Sequence, residues 1–226
     1  RCYGRGCAEL TVTDLVARTG LPKSNASRLL RAMRDVGLLE TVGKTKRYRP
    51  GILLVDVART YRRSSSLIQR AEAVVASVSA RCGHTGYVSI LNGAEVSAIT
   101  DHPGTHSLRV VSTIGRQLPA FASATGRSLL ARLPDEAVRG LYAGGLAAPT
   151  PQSPGTIDDL LSRIRTIRTT GYALSYEEAN PGVAAVAAAV GDPETGEAVS
   201  LCIAFPAATS SEDERRTIAE ALLAGA

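Results

Sequence analysis

The stretch from Leu10 to Val36 most constrains how this chain folds, because it predicts two short helices joined by a tight turn. Thr11-Val12-Thr13-Asp14 has the spacing of a capping box, so either Thr11 or Thr13 can begin the first helix. Gly20-Leu21-Pro22 ends that helix, since glycine allows a left-handed exit and proline suits the first turn of the next helix. We expect the second helix over about residues 23–36, with Gly37 as its stop.

The predicted second helix carries an apolar stripe and a basic stripe. The apolar residues fall at i, i+3, i+4 and i+7 and should face a core: Ala26, Leu29, Leu30 and Met33. The opposite stripe holds Lys23, Ser24, Asn25, Ser27, Arg28 and Arg31. Small polar residues followed by arginines suit a helix that enters the major groove of DNA. The pattern predicts a DNA-binding helix-turn-helix, and the alternative is a helical hairpin with a solvated basic face.

A basic hairpin is predicted directly after these helices. Two strand-like segments, Leu38–Glu40 and Arg47–Arg49, flank a turn at Gly43-Lys44. Basic side chains crowd this turn: Lys44, Lys46 and Arg47. Such a hairpin makes the unit a winged helix-turn-helix, whose wing contacts the phosphate backbone or a minor groove.

The distribution of charge agrees with a nucleic-acid partner. Residues 1–66 hold 14 Lys and Arg against 5 Asp and Glu, a net charge of +9, whereas residues 67–226 hold 12 against 16, a net charge of −4. A basic segment on an acidic remainder is an electrostatic footprint for a polyanion. Double-stranded DNA is the expected partner rather than a membrane, because no apolar run is long enough to span one and no basic amphipathic anchor is present.

The remainder of the chain predicts an α+β sandwich. After a helix over Ile52–Tyr61 and a polar joint at Arg62–Ser66, the periodicity predicts helices over Leu67–Arg81, Ala122–Leu133, Asp135–Tyr142, Thr156–Thr170 and Ser211–Ala224. Strands are expected over Gly86–Leu91, Glu95–Thr100, Leu108–Thr113, Tyr172–Tyr176, Val183–Val190 and Ala198–Ala204, with Asn92-Gly93 as a hairpin turn. Helices mixed with hairpin-linked strands indicate one antiparallel sheet with helices on its faces.

The order of these signals resembles the IclR-type transcriptional regulators along nearly the whole chain. The matching motifs are Leu21-Pro22-Lys23-Ser24, Gly115-Arg116 before Pro119, Ala122-Ser123-Ala124-Thr125-Gly126-Arg127 before Leu129-Leu130-Ala131, Ile164-Arg165 before Gly171-Tyr172, Glu177-Glu178, Gly182-Val183, Ala187-Ala188 and Asp192. The resemblance implies a winged helix-turn-helix domain, a GAF-like domain that binds a small molecule, and a homodimer or a dimer of dimers acting as repressor or activator. It therefore divides the chain into a DNA-binding domain (residues 1–51), a linker (52–66) and an effector-binding domain (67–226).

The resemblance also implies an effector site. The matching positions are Val110, Leu118, Ala124, Thr125, Ser175, Ala185, Cys202 and Ala204. Relatives that bind small organic acids carry more hydrogen-bonding groups at Ser175, Ala185, Cys202 and Ala204 than this chain does. Because a pocket with few polar groups leaves a hydrated anion uncompensated, we expect a small organic acid with an apolar or aromatic body. For Ser175 and Thr125 a purely structural role is an equal alternative, and for Ala185 and Ala204 simple core packing is favoured.

Enzymatic and metal-binding interpretations find little support in the sequence. A hydrolase or lyase could use Cys202 with His84, but nothing in the sequence brings them together. Neither Cys2 and Cys7 nor His102 and His106 come with a third ligand, so no metal and no cofactor are expected. The expectation is a cytoplasmic protein that binds a pseudo-palindromic operator, with a first helix trimmed upstream of Arg1. A binding module that has lost its DNA contact is the remaining alternative.

Overall fold

The computed structural model describes residues 2–3, 7–107, 109–110, 114 and 117–225. The chain divides into two compact units, Arg1–Ser64 and Ser65–Ala226. Each unit has its own hydrophobic core, and the two are described separately. None of the helices in the described ranges is long and apolar enough to cross a membrane.

The first unit begins with the predicted helix pair, α1 (Val12–Thr19) and α2 (Lys23–Asp35). The capping box is confirmed at Thr11: the Asp14 amide donates to the Thr11 hydroxyl at 3.2 Å, and the Thr11 amide donates to the Asp14 carboxylate at 2.7 Å. These hydrogen bonds lower the pKa of Asp14, because they favour its ionised form. Gly20 ends α1 in the left-handed conformation, as expected.

The core of the first unit confirms most of the predicted apolar stripe of α2 but not all of it. Ala26 and Leu30 are fully buried, and Met33 packs against the same cluster. Leu29, however, is 45% exposed, so the expectation that it faces the core is wrong. The described core residues of the first unit gather around Ala26 and Leu30 and leave Leu29 outside the cluster.

The wing consists of two antiparallel strands, β1 (Leu39–Thr41) and β2 (Tyr48–Pro50), with Glu40 opposite Arg49. Leu10 adds an isolated bridge to Tyr48, which ties the start of the helix pair to the wing. Gly51 follows closely on the turn after α2, since a Cβ there would lie 2.2 Å from the Gly37 carbonyl oxygen. The strands lie about one residue later than the sequence predicted, and the basic turn between them is retained.

Helix α3 (Leu53–Ser64) completes the first unit, and none of its residues is buried. Its apolar side chains are exposed in the single chain: Leu54, Val55, Val57 and Tyr61 are between 40% and 51% exposed. The predicted polar joint at Arg62–Ser66 is mostly helical, because α3 runs to Ser64 and the next helix begins at Ser66. Ser65, between them, is buried and caps that next helix by accepting from the Ile68 amide.

The second unit mixes helices with one antiparallel sheet, as predicted. Its helices are α4 (Ser66–Cys82), α5 (Ala124–Leu130), α6 (Asp135–Leu141), α7 (Ile157–Thr170) and α8 (Glu212–Gly225). Its strands are β3 (Thr85–Asn92), β4 (Glu95–His102), β5 (Gln117–Pro119), β6 (Tyr172–Tyr176), β7 (Val183–Gly191) and β8 (Ala198–Pro206). They form a six-stranded sheet in the order β5-β4-β3-β8-β7-β6.

The two faces of this sheet carry side chains of different size. On one face, large residues such as Leu201, Ile203 and Phe205 pack against α4 and α8. On the other face, small residues such as Ala185, Cys202 and Ala204 lie beneath α5. Since successive strand residues point to opposite faces, this alternation follows directly from the sequence of β8. The small residues leave room on the α5 side, and this side is called the small-residue face below.

Helix α5 differs from the prediction in its length and in how it begins. The predicted helix Ala122–Leu133 is a 3-10 turn over Ala120–Ala122 followed by the seven residues of α5, because Ser123 is extended and accepts from the Gly126 amide. A Cβ on Gly126 would lie 2.3 Å from the Ala120 Cα, so only glycine lets α5 lie this close to the turn. The predicted strand Leu108–Thr113 lies outside the described residues except for Arg109 and Val110, which are not in a strand, and β5 was not predicted.

Candidate nucleic-acid interface and ligand cavity

The residues predicted to contact DNA lie on α2 and on the wing of the first unit. Eight of the nine are exposed: Lys23, Ser24, Asn25, Arg28, Arg31, Lys44, Lys46 and Arg47. Ser27 is half-buried. Ser24, Asn25, Arg28 and Arg31 lie away from the face that Ala26 and Leu30 turn to the core, as a recognition helix requires. Lys23 and Ser27 do not: Lys23 is in register with Ala26 and Leu30 at the first turn of α2, and Ser27 borders that face.

Two of these arginines have partners within the unit. The Arg28 guanidinium donates to the Asn25 side-chain oxygen at 2.9 Å, which places both polar groups together on the exposed face of α2. Arg47 lies 4.0 Å from the Glu9 carboxylate, and both side chains are well exposed, so this contact is weak. Both arginines can therefore exchange these partners for guanine edges or phosphates.

The second unit contains a cavity of about 90 Å³ between the small-residue face of the sheet and the start of α5. All eight positions named from the family resemblance line it: Val110, Leu118, Ala124, Thr125, Ser175, Ala185, Cys202 and Ala204. Strand register brings three of them into one row, with Ser175 opposite Ala185 and Ala185 opposite Ala204. The fold thus gathers residues that span nearly a hundred positions of sequence into one site.

Eight further residues line the cavity and were not named from the sequence: Tyr87, Ser89, Val96, Ala98, Ser123, Ala179, Asn180 and Val183. Tyr87 and Ser89 alternate along β3, and Tyr87 lies opposite Cys202. Period-two alternation shows that Tyr87 and Ser89 share a face, but the sequence alone does not show which face is covered by α5. The cavity wall contains no Arg, Lys, Asp or Glu among the described residues.

Cys202 lines this cavity as a protonated thiol. Burial raises its pKa to about 11, and a hydrogen bond from the Thr125 side chain opposes the shift. His84 contacts the Glu214 carboxylate at 3.0 Å and the ring of Phe205, on the α4–α8 side of the sheet. The pairing of Cys202 with His84 considered for an enzyme is therefore not formed, and a thiol with a raised pKa is a weak nucleophile.

A buried ion pair holds one wall of the cavity. Arg127 of α5 is 1% exposed and donates to the Glu178 carboxylate through both terminal nitrogens, and also to the carbonyl oxygens of Phe121 and Leu174 at 3.0 and 2.7 Å. Burial lowers the pKa of Arg127, and the charge of Glu178 opposes that shift. Arg163 of α7 also donates to the Glu178 carboxylate, at 3.0 Å.

The backbone of Glu178 is held as firmly as its side chain. Its carbonyl oxygen accepts from the hydroxyls of Thr150 and Ser153 at 2.9 and 2.6 Å. The preceding residue, Glu177, adopts a positive φ of 56°, and its carboxylate accepts from the Gly182 amide. The turn between β6 and β7, which carries the cavity residues Ala179 and Asn180, is thereby fixed against α5 and α7. Adjacent glutamates suggested no role from sequence, because the partners of Glu178 lie far away along the chain.

No group of three or more His, Cys, Asp or Glu side chains that could hold a metal ion occurs in the part of the chain that the structure describes. His102 and His106 lie near the end of β4, where His106 contacts the Cys82 carbonyl oxygen at 3.0 Å and His102 lies 4.0 Å from Glu72.

A chain that combines a basic winged helix-turn-helix with a second unit that contains a cavity is typical of DNA-binding transcriptional regulators. Within that class, this chain belongs to the IclR family. Residues 4–43 match the model of the IclR helix-turn-helix domain, and residues 59–226 match that of the C-terminal domain of bacterial IclR transcriptional regulators.

Individual relatives agree with this assignment. The chain is 30% identical over 202 residues to the HTH-type transcriptional regulator XynR of Escherichia coli. The aligned region covers 89% of this chain and 80% of XynR. Its fold is similar to an IclR transcriptional regulator from Silicibacter (TM-score 0.89, 24% identity, 99% of this chain and 88% of that one). It is also similar to an IclR homologue from Microbacterium hydrocarbonoxydans complexed with 4-hydroxybenzoate (TM-score 0.79, 22% identity, 99% of this chain and 92% of that one).

The buried ion pair leads to a prediction about stability. Replacing Arg127 with Met leaves Glu178 without its main partner in a buried position, and such a loss destabilises a protein by about 3–5 kcal/mol. The double variant Arg127→Met/Glu178→Leu should recover part of this loss, since no unpaired charge remains. Urea unfolding of the second unit measures both free energies of unfolding.

An exposed ion pair supplies the control. Arg139 and Asp158 lie 2.9 Å apart with side chains that are 52% and 79% exposed, so Arg139→Met should change the free energy of unfolding by less than about 1 kcal/mol. Equal effects of Arg127→Met and Arg139→Met would contradict the structural role given to Arg127.

Proposed function

We propose that this IclR-family regulator binds a small organic acid in the cavity of its second unit, and that the ligand modulates binding of the first unit to operator DNA. The observation that carries the proposal is that all eight positions carried over from the family line one cavity. The homologue from Microbacterium hydrocarbonoxydans, solved with 4-hydroxybenzoate, supports an organic acid as the class of ligand.

The cavity wall favours an acid with an apolar body. We place the carboxylate beside Ala124 and Thr125, where backbone N–H groups are available as donors, and the apolar part along Val110, Leu118, Ala185 and Ala204. A cavity of about 150 Å³ accommodates benzene, whereas this one measures about 90 Å³. An aromatic acid that fits a wider form of the cavity better would shift the population of the second unit towards that form. In this proposal, that shift is what the ligand transmits to the first unit.

The first unit contributes two kinds of DNA contact in this proposal. Lys23, Ser24, Asn25, Ser27, Arg28 and Arg31 face the major groove, and Lys44, Lys46 and Arg47 contact the backbone or minor groove. One recognition helix covers few base pairs, so a two-fold symmetric dimer on a pseudo-palindromic operator is expected.

Variants of α2 and the wing separate base reading from backbone contact. If Arg28 reads a guanine, Arg28→Ala should lower operator affinity by about 1–3 kcal/mol and relax sequence preference. Lys44→Ala should weaken operator and random DNA alike and reduce the salt dependence. Arg34→Ala is the matched control on α2, since Arg34 is engaged by Asp35 at 2.6 Å. Fluorescence anisotropy over a range of salt concentrations measures these effects, and equal losses on both DNAs for Arg28→Ala would refute its role in base reading.

The exposed apolar side of α3 supports a homodimer or a dimer of dimers. Val55, Val57 and Tyr61 are each about half exposed in the single chain, and burying them against a second copy removes apolar surface from water. We expect sedimentation velocity at micromolar concentration to show a dimer or tetramer, and Val57→Glu to shift it towards the monomer. An Arg59→Gln variant, also exposed on α3 and also lowering the net charge by one, serves as the charge-matched control. A wild-type monomer would contradict the proposal.

Filling the cavity tests the ligand site. Ala204→Phe should abolish both the ligand-induced rise in melting temperature and the effect of the ligand on operator affinity, while DNA binding without ligand survives. Ala204→Val keeps the test valid if Phe prevents folding, and should weaken binding to a smaller extent. Ala147→Phe, at an exposed position, is the control. Unchanged ligand affinity in a folded Ala204→Phe variant would mean that the ligand binds elsewhere.

A further inference from the structure

Two hydroxyl groups in the wall of the cavity have no hydrogen-bond partner among the described residues. Ser89 on β3 is 3% exposed and Ser175 on β6 is 5% exposed, and both line the cavity. Both residues form part of the cavity wall, so a hydroxyl that has no partner in the protein is available to a polar group of a bound ligand. Ser175 belongs to the set named from the family resemblance, whereas Ser89 does not.

Neighbouring hydroxyls on the same face are paired within the protein. Ser200, directly opposite Ser89 in the strand register, lies 2.8 Å from the Ser128 hydroxyl of α5. Thr85, four residues before Ser89 on β3, donates to the Val110 carbonyl oxygen at 2.8 Å and accepts from the Gly104 amide. Ser89 thus differs from these two neighbours on the same face, whose hydroxyls are engaged within the protein.

We propose that Ser89 is a second polar anchor of the ligand cavity, and that it selects an organic acid bearing a neutral hydrogen-bonding substituent on its apolar body. This inference rests on the ligand site proposed above. The substituent is neutral because no ionised side chain lines the described wall of the cavity, and an unpaired charge would lose its hydration without compensation. A hydroxyl or carbonyl group suits the serine, which can both donate and accept.

The strand register fixes where this substituent lies relative to the acid group. Ser89 is the diagonal neighbour of Cys202, since Cys202 follows Ser200 by two residues on β8, and such neighbours have Cα atoms about 7–8 Å apart. Cys202 in turn is within hydrogen-bonding contact of Thr125, beside which the carboxylate is placed. The acid and the second polar group are thus separated by about the width of one aromatic ring or a short aliphatic chain.

Matched pairs of acids test this proposal on the full chain. Isothermal titration calorimetry compares benzoate with 3- and 4-hydroxybenzoate, phenylacetate with 4-hydroxyphenylacetate, and hexanoate with 6-hydroxyhexanoate. The wild type should prefer a hydroxylated member of at least one pair. Ser89→Ala should reduce that preference by about 3- to 10-fold, the range of one hydrogen bond, and should leave the affinity for the unsubstituted partner unchanged.

Two further variants control for effects on folding and for the other anchor. Ser97→Ala makes the same change on β4 but outside the cavity wall, opposite Ile90, and should leave the preference intact. Ser89→Ala without ligand should unfold at the same or a higher temperature than the wild type, because it removes no hydrogen bond within the described residues. A lowered melting temperature would show that Ser89 has a structural partner and would overturn the proposal.

The remaining outcomes distinguish this proposal from the one on which it rests. If acids bind and Ala204→Phe abolishes binding, but the wild type has no hydroxyl preference or Ser89→Ala keeps it, the role of Ser89 is wrong while the cavity stands. A preference lost in Ser175→Ala and kept in Ser89→Ala likewise assigns the substituent to Ser175 and overturns the proposal. If no acid in the panel binds, or if Ala204→Phe leaves binding unchanged, the ligand site itself fails, and the role of Ser89 fails with it.

Discussion

The second unit is organised around the buried charge of Glu178. Its carboxylate accepts hydrogen bonds from Arg127 of α5 and Arg163 of α7, and its backbone carbonyl oxygen accepts from two hydroxyls of the loop before α7. A buried ion pair is weak evidence for stability by itself, because desolvation offsets much of the attraction. What it provides here is position: it fixes the turn after β6 against α5, and both of these elements contribute residues to the cavity wall.

The cavity also depends on side-chain size along the sheet. Leucine, isoleucine and phenylalanine on one face of β8 fill the space against α4 and α8, while cysteine and alanine on the other face leave it open. Gly126 sets how closely α5 lies on the preceding turn, and Ser123 sets where the helix begins. Substitutions that enlarge the small residues would therefore change ligand binding before they change the fold, as long as the opposite face stays packed.

Sequence reasoning succeeded where local periodicity and turn chemistry determine structure. The capping box at Thr11, the helix α2 and the hairpin between β3 and β4 follow from patterns within a few residues, and the structure has all three, although the hairpin turn lies at Gly93-Ala94, one residue later than predicted. It failed where the outcome depends on distant partners. Leu29 lies outside the described core cluster of the first unit, and Arg127 pairs with Glu178, which is 51 positions away along the chain. The site was incomplete for the same reason, since alternation shows that Tyr87 and Ser89 share a face without showing that α5 covers it.

The ion pair at Glu178 also affects whether another strand can pair with the β6 edge of the sheet. Strand β6 pairs with β7 alone in the described sheet, and a free edge of this kind offers its backbone groups to any further strand. Here the Leu174 carbonyl oxygen accepts a hydrogen bond from Arg127, and the Tyr176 amide donates to the Glu178 carboxylate. An incoming strand would have to displace a buried salt bridge to pair with these groups. The residues that shape the cavity therefore also protect this edge of the sheet from pairing with another chain.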